Sequence, residues 1–86
     1  MEFEFDRRKS LATTAKHGRD FREAQKLWED PDLVEIPART EDEPRWVLVG
    51  RIGERCWSAV VTYRAGRVRI ISVRRARAEE VGIYEG

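Results

Sequence analysis

Arginine, the side chain best suited to binding phosphate groups, is concentrated in one short segment of this 86-residue chain. The segment RAGRVRIISVRRAR, residues 64–77, contains six arginines and no acidic residue. The guanidinium group stays charged at any physiological pH, and its planar fork matches two oxygens of a phosphate. The segment is therefore suited to binding a polyanion or to docking an acidic protein partner.

The arginine segment also has the pattern of a β-strand. Alternation places Arg67 and Arg69 on one face of this strand, and it places Ile71 and Val73 farther along on the same face. A face that mixes arginine with apolar residues is not simply solvated, which makes Arg69 a candidate for the floor of a cleft. The alternative is a solvated strand whose charges protect a sheet edge.

The histidine, the cysteine and the tryptophans of this chain have settings that favour ordinary roles. His17 lies near the predicted end of a helix, where positive charge is favourable, although histidine is also the residue type best suited to proton transfer near neutral pH. Cys56 lies inside an apolar run and is predicted to be a reduced core thiol. One histidine and one cysteine at unrelated positions give no metal-site spacing, so we predict no metal and no cofactor. Trp28, Trp46 and Trp57 are predicted to be core or partner-interface residues.

The length predicts one domain spanning residues 1–86, and the lack of a signal sequence or membrane-spanning stretch favours a cytoplasmic protein. The chain has 17 basic and 16 acidic residues, for a net charge of +1. No apolar stretch is long enough to span a membrane or to serve as a signal sequence. The charges are nevertheless segregated, because residues 20–43 hold nine acids and three bases. The fold can therefore carry an acidic region beside a basic one.

The first half of the chain predicts a strand followed by two helices. EFEF alternates with a period of two, which predicts a short strand at Glu2–Phe5. Asp6 can cap a first helix, and Gly18 is a suitable residue to end it. A second helix is expected to begin at Asp20 and to end at Pro31, because proline cannot continue the hydrogen-bond ladder.

The second half predicts a three-stranded antiparallel meander and a final helix. The strands are WVLVG, CWSAVVTYR and RVRIISVR, separated by short gaps that contain glycine. LVEI before them is predicted to be a short extended segment, and the closing ARAEEVGIYEG favours a terminal helix. The expected class is α+β, with the order β-α-α-β-β-β-α and a small antiparallel sheet packed by helices.

Several short motifs, taken together in this order, resemble the BrnT family of toxins. They are KHG after FEFDRRK, then DFREAQKLWEDP, the E-x-R-W entry to a strand, TYR before RVRIISVRRA, and an Ala-x-x-x-Glu-x-x-x-Tyr tail. Three positions depart from the usual family pattern: Thr13, Val61 and Val73. The resemblance implies a RelE-like fold and ribonuclease activity that arrests translation. It also implies a BrnA antitoxin partner, in a complex of two toxins with two antitoxins, and contact with DNA only through that antitoxin.

The resemblance also implies which residues act on RNA. Metal-independent cleavage needs a base for the attacking 2′-hydroxyl, an acid for the leaving oxygen, and cations that stabilise the charge on phosphorus. The candidate catalytic residues are Lys16, His17, Glu43, Arg64, Arg69 and Arg74, and the candidate RNA-binding residues are Arg67 and Arg75. Among them the three catalytic arginines match family positions, Lys16 and His17 are candidates for proton transfer or phosphate contact, and Glu43 is a weaker candidate base.

Two other functions compete with a ribonuclease. A non-catalytic member of the family would keep the fold and the partner, and its arginines would bind the antitoxin. A DNA-binding regulator is a poorer option, because the second predicted helix is acidic, with Glu23, Glu29 and Asp30. A recognition helix facing phosphate needs the opposite charge.

Overall fold

The computed structural model describes residues 2–11, 21–38 and 43–86, and it shows an α+β protein built on a mixed sheet. The sheet has five strands in the order β1-β5-β4-β3-β2. The strands are β1 (Glu2–Phe5), β2 (Val34–Ala38), β3 (Arg45–Ile52), β4 (Arg55–Arg64) and β5 (Arg67–Arg75). The predicted antiparallel meander is confirmed as β3, β4 and β5.

The predicted small antiparallel sheet is part of a larger, mixed sheet. β2 joins β3 as a further antiparallel strand, and β1 joins the other edge parallel to β5. Alternation identified β1 as a strand, but alternation carries no information on the partner. A parallel pair needs a long connection between its strands, and here most of the chain lies between β1 and β5.

Both hairpins of the meander turn through glycine. Ala65 and Gly66 connect β4 to β5 with positive φ angles of 49° and 78°, as a two-residue type I′ turn requires. Gly53, with φ 65°, begins the turn between β3 and β4. The short glycine gaps in the sequence therefore predicted these hairpins correctly.

A β-bulge at Ile71 changes the side-chain alternation of β5. Val61 pairs with Ile70 while Val60 pairs with Ser72, so Ile71 has no partner in the ladder. One extra residue moves the following side chains to the opposite face. Val73 is consequently buried in the core, with 1% of its surface exposed, and its predicted place on the arginine face was wrong.

Helices lie between β1 and β2 and after β5. The first, α1, begins at residue 7, and the Asp6 carboxylate accepts the Arg8 N–H at 2.8 Å, which confirms the predicted cap. The predicted second helix is a single α-turn, α2 (Phe21–Ala24), continued by a 3₁₀ helix (Gln25–Glu29). The terminal helix is confirmed as α3 (Ala78–Glu85). The predicted end of the first helix at Gly18 and the cap at Asp20 lie outside the described residues.

The core lies between α2, the 3₁₀ helix and one face of the sheet. Phe21, Ala24 and Leu27 are fully buried against β3, β4 and β5. Gly50 of β3 permits this close packing, because a Cβ there would lie 3.0–3.1 Å from side-chain atoms of Leu33 and Leu27. The three tryptophans all belong to this core or pack against it, as predicted. Cys56 is only half-buried.

Candidate functional site

Different helices pack on the two faces of the sheet, and most of the described candidate residues lie on the face opposite to α2. Val61, Val68 and Ile70 point to the core, so their neighbours Thr62 and Arg69, which pair with each other, lie on the opposite face. We call this second side the open face. α3 covers one end of it, through the contacts of Glu80 with Ser58 and Arg74. At the end near the β4–β5 turn, the side chains of Arg64 and Arg67 are exposed.

Three arginines and three glutamates meet on the open face, at its end near the β4–β5 turn. We call this group the β4–β5 cluster, and it consists of Arg64, Arg67, Arg69, Glu2, Glu4 and Glu43. Arg64 lies 3.1 Å from Glu43, and Arg67 lies 3.1 Å from Glu2. Arg69 lies 3.6 Å from Glu4. The cluster therefore unites Arg64, Arg69 and Glu43 of the predicted catalytic residues with Arg67 of the predicted RNA-binding residues.

The ion pairs of the β4–β5 cluster are exposed to solvent. The Arg64, Arg67 and Arg69 side chains keep 57%, 54% and 38% of their surface. Exposed ion pairs contribute about 0–1 kcal/mol, because water solvates the separated charges well. A phosphate group that approaches the open face can displace these carboxylates at little cost in free energy.

Sequence reasoning missed two acids of the cluster. The arginine segment contains no acid, but β1 lies parallel to β5 and places Glu2 beside Arg67 and Glu4 beside Arg69. The alternation in EFEF indicated that both glutamates share a face, and only the strand pairing identifies which arginines they meet. The basic surface expected from the segment is therefore largely neutralised by ion pairs.

Arg74 occupies a different environment, beneath α3. Its two terminal nitrogens lie 2.6 and 2.8 Å from the two carboxylate oxygens of Glu80, and the two side chains are 22% and 11% exposed. Glu80 also accepts hydrogen bonds from the Ser58 hydroxyl at 2.9 Å and from the Arg77 N–H at 2.8 Å. We call Arg74, Glu80 and Ser58 the α3 anchor, because they join this helix to the sheet.

The electrostatics of the α3 anchor follow from these contacts. The hydrogen bond from Arg74, with smaller help from Arg77 and Ser58, lowers the pKa of Glu80 to about 2 against the opposing effect of burial. Glu80 in turn raises the pKa of Arg74. Both side chains are charged at neutral pH. Removing either one would leave the charge of the other largely buried and without its partner.

A second polar contact holds the other end of α3. The Tyr84 hydroxyl donates to Asp30 at 2.6 Å, and the same carboxylate oxygen accepts the Arg51 N–H at 2.8 Å. The hydrogen bond to Asp30 raises the pKa of Tyr84 to about 12 and lowers the pKa of Asp30. α3 is thus attached at Glu80 and Tyr84, one helical turn apart.

The other predicted site residues lie apart from the cluster. Arg75 places its guanidinium carbon 5.9 Å from the centroid of the Trp57 ring, at the far end of β5. Lys16 and His17 lie outside the described residues, so their roles stay predictions. Within the described ranges, no three His, Cys, Asp or Glu side chains come together as ligands for a metal ion. No helix in those ranges is long and apolar enough to span a membrane.

Comparison with known families adds an identification to this geometry. Residues 5–80 match the family described as the ribonuclease toxin BrnT of type II toxin–antitoxin systems. This chain belongs to the BrnT family. The family predicted from the short motifs is thereby confirmed, and BrnT membership supports ribonuclease activity and an antitoxin partner in general terms. A search of the curated proteins gave no match.

The BrnT match includes all of the predicted catalytic and RNA-binding residues, from Lys16 to Arg75. It also includes the whole α3 anchor, because it extends to Glu80. Glu2 and Glu4 lie before the matched range. The acids that neutralise Arg67 and Arg69 are therefore a feature of this chain that the family match does not cover.

Proposed function

We propose that this protein is an endoribonuclease toxin that cleaves RNA without a metal ion and arrests translation in the cytoplasm. A BrnA-like antitoxin neutralises it in a complex of two toxins with two antitoxins, and DNA is contacted only through the antitoxin. The family match over residues 5–80 is the observation that carries this proposal. We further propose that residues 1–86 act as one domain with a RelE-like fold.

The β4–β5 cluster supplies the cations and one candidate base for this reaction. The 2′-hydroxyl of one nucleotide loses its proton to a general base and attacks the adjacent phosphorus. The bond to the 5′-oxygen of the next nucleotide breaks, and that oxygen takes a proton from a general acid, which leaves a 2′,3′-cyclic phosphate and a 5′-hydroxyl. Arg64 and Arg69 bind the non-bridging oxygens and stabilise the charge that builds there, while Arg67 contacts a neighbouring phosphate. Both catalytic arginines lie on the open face beside the β4–β5 turn, and both have exposed side chains.

Proton transfer in this scheme has three candidate groups. Glu43 lies 3.1 Å from Arg64, where it is close enough to a phosphate bound by that arginine to accept the proton of the 2′-hydroxyl. Lys16 and His17 are the other candidates. We give Arg74 a smaller part than Arg64 and Arg69, because both of its terminal nitrogens already bind Glu80.

A second function, a non-catalytic partner-binding module, is favoured by one observation. Every arginine of the β4–β5 cluster already binds a carboxylate. An acidic segment of the antitoxin would make the same kind of contact, and this requires no reaction. In this alternative, the cluster is a docking surface for the partner protein.

Single-turnover cleavage of a short RNA separates these two functions. The protein is purified with its antitoxin, freed from it and assayed with and without a chelator. Cleavage in both conditions supports the metal-independent ribonuclease. If the freed, folded protein leaves RNA intact in both conditions, the proposed enzyme is wrong and the partner-binding function takes its place.

A further inference from the structure

We propose that a cavity between α3 and the β3–β4 hairpin binds a backbone phosphate of RNA, at a second site separate from the β4–β5 cluster. This inference deepens the proposed function and depends on RNA being the ligand. The cavity has a volume of about 360 Å³, and Arg51, Arg55 and Arg75 contribute to its lining. We call it the α3 cavity. Its volume lies within the range of sites that bind small molecules, so it can hold part of a nucleotide chain.

The three arginines of the α3 cavity come from three different strands. Arg51 belongs to β3, Arg55 to β4 and Arg75 to β5, and the ends of these strands meet beside the hairpin. Nothing in the sequence spacing predicts this convergence, since Arg51 and Arg75 lie in different strands with the whole of β4 between them. The strand register brings them together, with Arg51 opposite Cys56 and Arg75 opposite Trp57.

The cavity differs from the β4–β5 cluster in whether its arginines form ion pairs with carboxylates. In the described part of the chain, no carboxylate lies within the 4.0 Å ion-pair distance of Arg51, Arg55 or Arg75. Each cluster arginine, in contrast, has an acidic partner. Asp30 attracts Arg51 over a longer distance, but among the described residues a phosphate has no contact ion pair to break at the cavity. The contact of Arg75 with Trp57 already restrains one of the three cations.

The rest of the lining favours a nucleic acid strand over a compact polyanion. Glu54 and Glu85 also line the cavity, and they repel an anion that carries several charges in one place. Val81 and Ala76 supply apolar surface next to the arginines. A nucleotide unit combines one phosphate charge with an apolar base face, and the amino groups of bases can donate to carboxylates. This combination matches the lining.

The α3 cavity is close enough to the β4–β5 cluster for one RNA molecule to contact both. Arg69 in the β4–β5 cluster and Arg75 at the cavity belong to the same strand. Six residues of a β-strand span roughly 20 Å, at about 3.3 Å per residue. The bulge at Ile71 leaves Arg69 on the open face and places Arg75 on the opposite face, with Val73 and Trp57. A single-stranded RNA that passes from the open face around the end of β5 can therefore contact both groups of arginines, and the cavity would hold the substrate away from the cleaved bond.

The experiment measures RNA binding by fluorescence anisotropy at several salt concentrations. The ligand is a short 2′-O-methyl RNA, which lacks the attacking hydroxyl and so is bound without being cleaved. The test variant is Arg51→Gln with Arg55→Gln, two exposed side chains whose loss leaves the core intact. The matched control is Arg7→Gln with Arg22→Gln, two exposed arginines that line a different cavity. Circular dichroism verifies that each variant is folded.

We expect the double variant to bind RNA roughly three- to tenfold more weakly than wild type. Its plot of log affinity against log salt should become shallower by about 0.7 for each phosphate that the variant no longer binds, which is the value for single strands. The Arg7→Gln, Arg22→Gln control should change neither quantity. Glu54→Gln should strengthen binding slightly, because it removes a repulsive charge from the cavity.

The outcomes separate this inference from the proposed function. If wild type cleaves RNA and the double variant keeps the affinity and salt dependence of wild type, the second site is wrong and the enzyme stands. If wild type binds without cleaving and the double variant weakens, the second site stands and the enzyme is wrong. A double variant that loses only the antitoxin assigns the cavity to the protein interface and refutes our inference. A wild type that neither binds nor cleaves RNA refutes both.

Discussion

Arginine–carboxylate pairs occur in two regions of this protein, and their surroundings give them different consequences. In the β4–β5 cluster, Arg64 and Arg67 keep more than half of their side-chain surface in solvent. In the α3 anchor, Arg74 and Glu80 are 22% and 11% exposed and bind through two hydrogen bonds. The same chemical pair is thus replaceable at one end of the sheet and structural at the other. Exposure decides which arginines are available to a ligand.

The largest expected effect is on catalysis at the cluster. Replacing Arg69 with lysine keeps the positive charge but loses the planar fork that binds two phosphate oxygens. We expect the single-turnover cleavage rate to fall by about 10²–10³, the usual cost of losing one donor to the transition state. RNA binding should weaken much less, because a charge remains. The measurement is cleavage beside binding for the same variant.

Arg22→Lys provides the control for this prediction, since Arg22 is exposed on α2 and away from the open face. Its rate should equal that of wild type. Equal losses of rate and affinity in Arg69→Lys would indicate a simple phosphate contact. Normal cleavage combined with loss of antitoxin binding would assign Arg69 to the protein interface.

The next largest effect is on stability at the α3 anchor. Replacing Glu80 with alanine leaves the Arg74 charge half-buried, and it removes the acceptor of the Ser58 hydroxyl and the Arg77 N–H. Breaking a buried pair on one side costs about 3–5 kcal/mol, and the partial exposure of Arg74 places our expectation near the lower end. Urea denaturation measures this loss in the free energy of unfolding.

The matched variant removes a cluster carboxylate in the same way. Glu2→Ala breaks the contact with Arg67, but the Glu2 side chain is 74% exposed. We expect a loss of less than about 1 kcal/mol in the free energy of unfolding. Similar losses in Glu2→Ala and Glu80→Ala would contradict the distinction between the two regions.

The two regions also differ in how they respond to acid. The pKa of Glu80 falls from an ordinary value of 4.5 to about 2 in the folded protein, chiefly because of its hydrogen bond from Arg74. A depressed pKa stabilises the fold above the unfolded value, and this contribution is lost as pH falls from about 4.5 to about 2. A shift of this size corresponds to about 3 kcal/mol.

Unfolding curves at a series of pH values test this dependence. Wild type should lose stability through that window more steeply than Glu80→Gln, which has no carboxylate to protonate at this position. In Glu2→Gln, the free energy of unfolding should fall with pH almost as steeply as in wild type. If Glu80→Gln follows the same slope as wild type, other carboxylates cause the acid sensitivity and the low pKa of Glu80 is not its source.

Local patterns predicted much of the fold, and contacts distant in sequence account for the errors. Alternation and glycine gaps identified the hairpins, and Asp6 was correctly predicted as a helix cap. The parallel pairing of β1 could not be predicted, because alternation describes a strand without naming its neighbour. The bulge at Ile71 could not be predicted either, because a single added residue leaves no mark in the composition.

The candidate site shows the same division. The arginines were found by residue type, and the family resemblance selected among them. Their partners were missed, because Glu2 and Arg67 lie 65 positions apart and Ser58 and Glu80 lie 22 apart. Whether an arginine is available or occupied depends on such pairs. The sequence therefore predicted which residues carry positive charge but not which of them are already bound.

The smallest expected effect is the change in RNA affinity when Glu4 is replaced. Whether the affinity rises or falls shows how Glu4 acts on Arg69. Glu4 lies 3.6 Å from Arg69 and 4.0 Å from Arg67, so it neutralises part of the charge that a phosphate would meet. Replacing it with glutamine removes the charge and keeps the size of the side chain. We expect RNA binding to strengthen by roughly two- to fivefold, equal to at most about 1 kcal/mol, and stability to change by less than that. Anisotropy at low salt gives the affinity, and the gain should shrink as salt screens the charges.

Weaker RNA binding in a folded Glu4→Gln protein would mean that Glu4 orients Arg69 for its ligand. The cluster carboxylates would then be part of the binding site and not competitors of the phosphate.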